Sequence, residues 1–505
     1  MRKSSIVGKS AAYLYIESIF AMIIGYIFWI ILSQITSAEV IGASSALISL
    51  TNIFAVVAVI GIDEGNQRFL GKSFSEGKID DVKSYVKASL FLVSVGILAS
   101  SIAILLISSW IHDVYGIDFS LVIVAIILVG SNAIQLLLYS VVTASLKTKV
   151  LPKIMIVSST AKLLVAVILI LMGAGVLGLT IGYTLSHIIS SILLAIVILT
   201  TFALSNKNNN SNQIRTAVAN FSHACRNIVT AGVARWIPHI ITTIGSQLGT
   251  IVIFGFQGSD QAGMYFIALI IVNGITYAMY SLFTVALPAL SAMQDGRKRF
   301  TWHAIRLSAL ISVPFSSALI FYSREIMQLV GQTYIEASLS LEILLLSMLP
   351  TTVFTGVTVL VYSYGNYKQV LAIGLATSIP RTTLYFALVP VYGNTGAAMS
   401  YTIGAIVGFA VSVAIANKIK MQMSWKDLGY ILIIPTGIAF GLDLLHVNFI
   451  VGIAATLVIS YISLLRLRIL KRTDIRDAVN ILPNSISDQV TSILKMIDRK
   501  SNWFY

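Results

Sequence analysis

The chain has 505 residues, of which 57% are hydrophobic and only 11% are charged, with a formal net charge of +14. A soluble domain carries about 25% charged residues, so this composition excludes a water-soluble fold and indicates an integral membrane protein. The positive charge does not indicate a nucleic-acid partner, because cytoplasmic loops of membrane proteins are rich in Lys and Arg. The single cysteine, Cys225, excludes an intrachain disulfide and a cysteine-based metal cluster.

The chain contains fourteen apolar stretches whose lengths are close to or above the length of about 20 residues that a membrane-spanning helix needs. The first follows a basic N-terminal segment and is too long for a signal-peptide core, so we expect it to be retained. The predicted fold class is an all-α integral membrane protein with fourteen transmembrane helices. Their predicted spans are roughly 11–34, 41–62, 86–108, 119–145, 152–173, 177–203, 227–255, 262–290, 303–323, 338–363, 368–390, 396–417, 428–444 and 447–466.

Basic residues fall in every second connection between these spans. Of the 34 Lys and Arg residues, only Arg324 lies in a connection that we place outside the cell. The positive-inside rule therefore predicts a multi-pass plasma-membrane protein with both termini in the cytoplasm. The longest inner connection, around 63–86, is too short for a soluble catalytic domain.

Two stretches of the chain share a pattern that indicates an internal repeat. Spans five and six read SLKTKVLPKIMIVSSTAKLLVAVILILMGAGVLGLTIGY, and spans eleven and twelve read SYGNYKQVLAIGLATSIPRTTLYFALVPVYGNTGAAMSY. Aligning Gly175 with Gly393 in the two G-x-x-G turns gives an offset of 218. Six-span repeats insert in the same orientation, so we expect two lobes related by an axis along the membrane normal. The predicted divisions are an N-lobe, a cytoplasmic linker, a C-lobe, two appended helices and a cytoplasmic tail, at 1–205, 206–224, 225–420, 421–467 and 468–505.

Several motifs resemble those of the multidrug/oligosaccharidyl-lipid/polysaccharide (MOP) exporter superfamily. They are the linker between six-span halves, GIDEGNQRFLGK after span two, ALPALSAM in span eight and VPVYGNTGAAMSY between spans eleven and twelve. Within that superfamily the chain most resembles the Wzx-type oligosaccharide flippases of the polysaccharide biosynthesis branch, over about residues 5–465. The resemblance implies a MATE-like fold and transport of lipid-linked saccharides by alternating access between two lobes.

Two basic residues lie near the middle of predicted spans, where an ionisable group costs about 2.5–3.5 kcal/mol on insertion scales. Lys162 lies midway along span five, and Arg381 lies at a similar depth in span eleven. Under the 218 offset Lys162 aligns with Pro380, one residue from Arg381. A pyrophosphate-linked glycan is an anion, and both side chains suit phosphate oxygens. We predict that the pair binds substrate in a central cavity; the alternative is a structural role against a carbonyl or a buried acid.

Glu17 in span one and Arg235 in span seven lie at nearly the same level, with His239 one turn further on. The sequence allows a Glu17–Arg235 gate, and it allows Glu17 to carry a coupling proton or Na⁺. The alternative for Arg235 is snorkelling to the inner interface.

Three further residues are candidates for gating or ion coupling. Asp63 and Glu64 follow span two and fit either a gate network or a solvated loop cluster. His187 lies in the middle of span six and fits either a hydrogen-bonded core histidine or a proton-coupling residue.

No sequence motif indicates an enzyme or a bound cofactor. Two GKS triplets, at Gly8 and Gly71, lack the upstream glycine of a phosphate-binding loop, and the histidines show no metal-ligand spacing. The leading hypothesis is that the protein is a flippase and not an enzyme. We expect it to be a monomer without cofactors. Its expected partners are a polyprenyl-pyrophosphate-linked glycan as substrate, membrane lipids and glycan-assembly enzymes. A cation-coupled drug antiporter of the same superfamily and a membrane glycan polymerase or ligase are the alternatives. The first would carry more buried acids, and the second would need a larger outer loop.

Overall fold

The computed structural model describes residues 2–115, 119–206, 217–467 and 469–470, and these residues form helices without any strand. Two short 3₁₀ turns, Thr148–Val150 and Gln332–Ala337, supplement the α-helices. The α-helices are α1 (Arg2–Ile35), α2 (Ala38–Val59), α3 (Ile62–Glu76), α4 (Ile79–Tyr115), α5 (Phe119–Ala144), α6 (Leu151–Leu171), α7 (Gly175–Asn206), α8 (Ala217–Gln257), α9 (Ser259–Ala292), α10 (Arg297–Phe321), α11 (Ser323–Val330), α12 (Ser338–Leu345), α13 (Met348–Ser363), α14 (Tyr367–Lys418), α15 (Trp425–Leu444) and α16 (Phe449–Arg466).

The helices coincide with the predicted apolar spans to within several residues at most ends. Among the described residues, twelve helices are long and apolar enough to cross a membrane, and a bent pair, Gln332–Leu345 with Met348–Ser363, raises the number to thirteen. The all-helical membrane fold is therefore confirmed, and the count of fourteen crossings stays a prediction.

Helix α14 is 52 residues long but turns back on itself at Gly393, whose backbone is not helical (φ 54°, ψ −131°). Residues on either side of this turn pack together: a Cβ on Gly404 would lie 2.6 Å from the carbonyl oxygen of Thr377. The two halves form an antiparallel pair. Gly175, which aligns with Gly393 in the repeat, also has a positive φ of 47°. Glycine adopts this conformation readily because it lacks a Cβ atom.

The helices group into two lobes and an appended pair. We call helices α1–α7 the N-lobe and helices α8–α14 the C-lobe, following the predicted division of the chain, whose boundaries stay a prediction. Helices α15 and α16 pack on α10 outside the two lobes, where the Tyr461 hydroxyl donates to the Leu310 carbonyl (3.2 Å). The Ser317 and Thr436 hydroxyls also share a hydrogen bond of 3.0 Å. The pseudo-symmetric two-lobe architecture is thus confirmed.

The lobes meet tightly where α2 and α9 begin, at Ala38, Gly42, Ser259 and Gly263. We call this contact the outer seam, and a second one the inner seam, after the sides of the membrane on which the predicted topology places them. A methyl group on Gly42 would overlap the carbonyl oxygen of Ser259, and one on Gly263 would overlap that of Ala38. The contact is reciprocal, since each helix offers a small residue and, four residues later, a glycine. Small residues let membrane helices approach until their backbones touch.

A second close contact, the inner seam, joins the start of α3 to α8 through Gly61 and Gly232. A Cβ on Gly61 would lie 2.5 Å from the carbonyl oxygen of Gly232, and a Cβ on Gly232 would overlap the carbonyl oxygen of Gly61. Nearby, the indole N–H of Trp236 donates to the carbonyl of Val56 (2.9 Å). The lobes therefore touch at both ends of α2, and the glycines at these contacts have no space for a side chain.

The inner connection after span two differs from the predicted loop, because residues 62–76 form the helix α3. Asn66 fixes this helix: its amide donates to the Ser140 hydroxyl (3.0 Å), and its carbonyl accepts from the Ser89 hydroxyl (2.6 Å). The end of the predicted linker is also helical, since α8 begins at Ala217. The tail from residue 471 and the linker segment 207–216 lie outside the described residues.

Candidate functional site

Lys162 stands on α6 between two aromatic rings of the N-lobe. Its Nζ lies 4.4 Å from the ring centre of Phe28 on α1 and 4.4 Å from that of Tyr183 on α7. Trp29, next to Phe28, packs edge-on against Phe266 of α9 with ring centres 4.6 Å apart. The Lys162 side chain is partly exposed. Its ammonium group is thus stabilised by two aromatic faces. The neighbouring Trp29 connects this group of residues to α9 of the C-lobe.

Arg381 occupies a comparable place in the C-lobe, on the first half of α14. Its guanidinium carbon lies 3.8 Å from the ring centre of Tyr401, and Nη2 donates to the carbonyl of Tyr401 (3.3 Å). The side chain is only 5% exposed, and its Nε has no hydrogen-bond partner. Gly404 makes room for it, since a Cβ there would lie 2.7 Å from the Cβ of Arg381.

The two cation–tyrosine pairs are related by the internal repeat. Tyr183 and Tyr401 are 218 residues apart, the same offset that separates the turn glycines Gly175 and Gly393. Each tyrosine lies on the helix that follows the glycine turn, and its ring faces the cation of the helix before the turn. The repeated motif is therefore a cation stacked on a tyrosine. The sequence analysis did not predict a role for Tyr183 and Tyr401, although the 218-residue offset aligns them.

Among the described residues, no carboxylate neutralises either cation. In the described parts of the chain, no acidic oxygen lies within 4.0 Å of Lys162 or Arg381, whereas Arg306 does have such a partner in Asp427 (3.9 Å). A charge taken out of water without a partner is strongly destabilising. Aromatic faces and a carbonyl compensate for part of this energy. That the two cations bind a substrate together stays a prediction.

A polar cavity of about 130 Å³ lies inside the N-lobe, beside the part of α6 that precedes Lys162. Glu17 and Tyr139 line it, and the Tyr139 hydroxyl donates to Oε2 of Glu17 (2.9 Å). His187 and Gln135 line it as well; Nδ1 of His187 donates to Oε1 of Gln135, because that oxygen only accepts. The hydroxyls of four serines complete the polar wall: Ser158, Ser159, Ser186 and Ser190.

This cavity brings together two of the predicted gate or ion-coupling residues, Glu17 and His187. The sequence analysis did not predict Gln135 and Tyr139 as site residues, because the alignment of the two six-span repeats gives no signal at these positions. The contact between His187 and Gln135 agrees with a hydrogen-bonded core histidine, which was one of its two readings.

The other gate candidates lie elsewhere. His239 is exposed on α8, and Asp63 is partly buried at the start of α3. The side chains of Arg235 and Glu64 lie outside the described residues, so the Glu17–Arg235 pair stays a prediction. Within the described residues, no group of three or more His, Cys, Asp or Glu side chains is placed to hold a metal ion.

Comparison with known proteins places this arrangement in a wider context. Residues 31–339 match the family described as "Polysaccharide biosynthesis protein". The fold is similar to that of the lipid II flippase MurJ in an inward closed conformation, with a TM-score of 0.69 and 17% identity, covering 90% of this chain and 99% of that one. No curated protein matches the chain by sequence.

Transporters of the MOP superfamily share the fold too. A multidrug resistance MATE family transporter in an inward-facing conformation has a TM-score of 0.60 and 13% identity, covering 81% of this chain and 94% of that one. A MOP superfamily transporter from Pyrococcus furiosus has a TM-score of 0.58 and 13% identity, with 81% and 95% covered. These matches confirm the MOP fold that the motifs predict.

Proposed function

Because the chain belongs to the polysaccharide biosynthesis protein family, we propose that it is a flippase for a polyprenyl-pyrophosphate-linked glycan. It moves the lipid-linked oligosaccharide or polysaccharide precursor from the inner to the outer leaflet of the plasma membrane, with both termini in the cytoplasm. It acts as a monomeric transporter and not as an enzyme, and enzymes of glycan assembly supply and consume its substrate.

The observation that carries this proposal is a pair of cations, one in each lobe, for which the described part of the chain offers no carboxylate partner. Lys162 and Arg381 occupy positions of the repeat that differ by one residue, and each is held on an aromatic ring instead of a carboxylate. A diphosphate offers oxygens to both: Arg381 can bind with its planar fork, and Lys162 with a mobile point charge. The positive interior therefore favours an anionic headgroup over a cationic drug.

The two seams support a mechanism of alternating access. If the inner seam opens while the outer seam stays closed, the headgroup enters from the cytoplasmic leaflet between the lobes. Closing the inner seam and opening the outer one then releases it on the other side. The polyprenyl tail stays in lipid throughout, so only the polar headgroup needs the interior of the protein.

We propose that the polar N-lobe cavity couples this cycle to a proton. Glu17 accepts a hydrogen bond from Tyr139 and lies in the same cavity as His187, which gives a proton two titratable groups close to α6. Lys162 lies on α6 as well, so a change of charge at Glu17 alters the electrostatic potential at the headgroup site.

The test is leaflet exchange in vesicles that contain the purified protein and a fluorescent polyprenyl-pyrophosphate-linked oligosaccharide. The protein should accelerate exchange over empty vesicles, and Lys162→Ala should slow it about 10- to 150-fold, the loss expected for a charge-assisted hydrogen bond of about 1.5–3 kcal/mol. Lys162→Arg, which keeps the charge, serves as the matched control and should retain most of the rate.

Two results would overturn the proposal. Exchange no faster than in empty vesicles, together with export of a cationic dye, would identify the drug antiporter. Chain extension or transfer of the glycan by the purified protein would instead identify a polymerase or ligase.

A further inference from the structure

The polar N-lobe cavity adjoins Lys162 through direct contacts. The Lys162 ammonium lies 4.4 Å from the ring centre of Tyr183, and that ring centre lies 6.5 Å from that of His187, which lines the cavity. Ser158 and Ser159 stand one helical turn before Lys162 on α6, and they line the cavity as well. A diphosphate held at Lys162 therefore has this cavity beside it.

The cavity wall has hydrogen-bonding capacity that the protein itself does not use. The Ser190 side chain is only 2% exposed, and its hydroxyl has no hydrogen-bond partner among the described residues. The amide nitrogen of Gln135 also donates to no described residue, because the His187 ring engages only the amide oxygen. The hydroxyls of Ser158 and Ser186 donate to carbonyls of their own helices (3.1 and 3.0 Å), which leaves their oxygen atoms able to accept. Buried polar groups in native proteins are rarely left without a partner, so these groups point to a polar occupant of the cavity.

The chemistry of the wall suits a neutral saccharide. Gln135 and Ser190 offer N–H and O–H donors, and Glu17 offers a carboxylate oxygen that Tyr139 does not engage. A sugar ring carries hydroxyls that donate and accept, and C–H groups that prefer an apolar surface. The carboxylate of Glu17 disfavours a further anion in this space. The apolar part of the wall consists of Leu151, Ile154, Met155 and Leu194.

The volume limits how much of a glycan the cavity can hold. A space of about 130 Å³ has room for several water molecules. One sugar ring can replace such waters with its own hydroxyls, whereas the rest of a longer glycan has to continue outside the cavity. The cavity therefore suits the sugar that is bonded directly to the diphosphate.

We propose that the polar N-lobe cavity is the subsite for the first saccharide of the cargo, which Ser190 and Gln135 bind by hydrogen bonds while Lys162 holds the adjoining phosphate. The inference rests on the proposed function and deepens it, because it separates recognition of the sugar from recognition of the phosphate. The cations bind any polyprenyl pyrophosphate, and the cavity favours one that carries a glycan.

The test compares leaflet exchange of two fluorescent lipids in vesicles that contain the purified protein, a polyprenyl-pyrophosphate-linked oligosaccharide and a polyprenyl pyrophosphate without sugar. Ser190→Ala should slow exchange of the glycan-bearing lipid about 2- to 13-fold, which is the range expected for one hydrogen bond. It should leave exchange of the sugar-free lipid unchanged. Because the Ser190 hydroxyl has no partner among the described residues, its removal breaks no hydrogen bond between them.

Ser191→Ala is the matched control, because Ser191 is the next residue on α7 but does not line the cavity. Its hydroxyl donates instead to the carbonyl of Ser131 (3.5 Å), and this variant should move both lipids at the rates of the unmodified protein.

Three results would count against the subsite. Unchanged glycan exchange in a folded Ser190→Ala protein would overturn it and leave the flippase standing. Equal slowing of both lipids would overturn it as well, because the role of Ser190 would then be structural. Failure of the unmodified protein to move either lipid would overturn the flippase and the subsite together. If Ser190→Ala folds poorly, Ser158→Ala on the α6 wall replaces it under the same criteria.

Discussion

Replacing Gly263 by alanine should open the outer seam. The added methyl group would overlap the carbonyl oxygen of Ala38 and lie 3.0 Å from the backbone nitrogen of Gly42. Contacts of a carbon atom are most favourable at about 3.5–4.0 Å, so relief of the overlap with the Ala38 carbonyl oxygen would require α2 and α9 to separate by at least about 1.4 Å. Overpacking of this kind costs about 1–3 kcal/mol, and both colliding groups are backbone atoms that cannot rotate away. The closed seam should thus lose about 5- to 150-fold in population relative to the open one.

The measurement is a distance across the outer seam between spin labels in a detergent or nanodisc sample. Glu39→Cys and Asp260→Cys provide exposed sites at the beginnings of α2 and α9. Cys225→Ser removes the native cysteine. In the labelled protein with Gly263, the closed seam should give one short distance. Gly263→Ala should add or enlarge a longer-distance population by the factor given above.

Gly274→Ala is the matched control, because Gly274 lies on the same helix and a Cβ there would meet nothing within 4 Å. It also gains the same helix propensity, about 1 kcal/mol. An unchanged distance distribution in a folded Gly263→Ala protein would refute the argument that backbone contact at this seam holds the outer side closed. The same broadening in both variants would refute it as well, because the effect would then come from helix propensity.

Three further predictions concern the inner seam, the polar N-lobe cavity and the hydrogen bonds of Asn66. Gly232→Ala should open the inner seam and raise the alkylation rate of Cys225, which packs beside that seam, whereas Gly71→Ala, with nothing within 4 Å, should leave the rate unchanged. Glu17→Gln should abolish any acceleration of glycan exchange by a proton gradient while exchange without a gradient continues; a response that persists would exclude Glu17 from coupling. Asn66→Ala leaves its two serine partners without their shared amide and should lower the free energy of unfolding by about 1–3 kcal/mol, as measured by a shift of the thermal midpoint.

The sequence alone determined much of the fold, because transmembrane helices depend on a local property. Lipid cannot satisfy backbone hydrogen bonds, so an apolar stretch of sufficient length becomes a helix whatever its neighbours are. The predicted spans therefore coincide with the helices, and the aligned glycines at 175 and 393 both occupy turns with positive φ. Helix α3 was not predicted, because its sequence is polar. This helix is stabilised by buried contacts such as those of Asn66 and not by a long apolar stretch.

The candidate site, like the fold, has features that the sequence determined and features that only the tertiary structure decided. The sequence determined that Lys162 and Arg381 are cations inside predicted spans, because charge and depth can be read along one helix. The tertiary structure decided that each cation stacks on a tyrosine that follows the glycine turn, and that Glu17 and His187 share a cavity. These facts depend on how helices rotate about their axes and which faces they turn toward each other, and that rotation is fixed by packing between segments far apart in the chain.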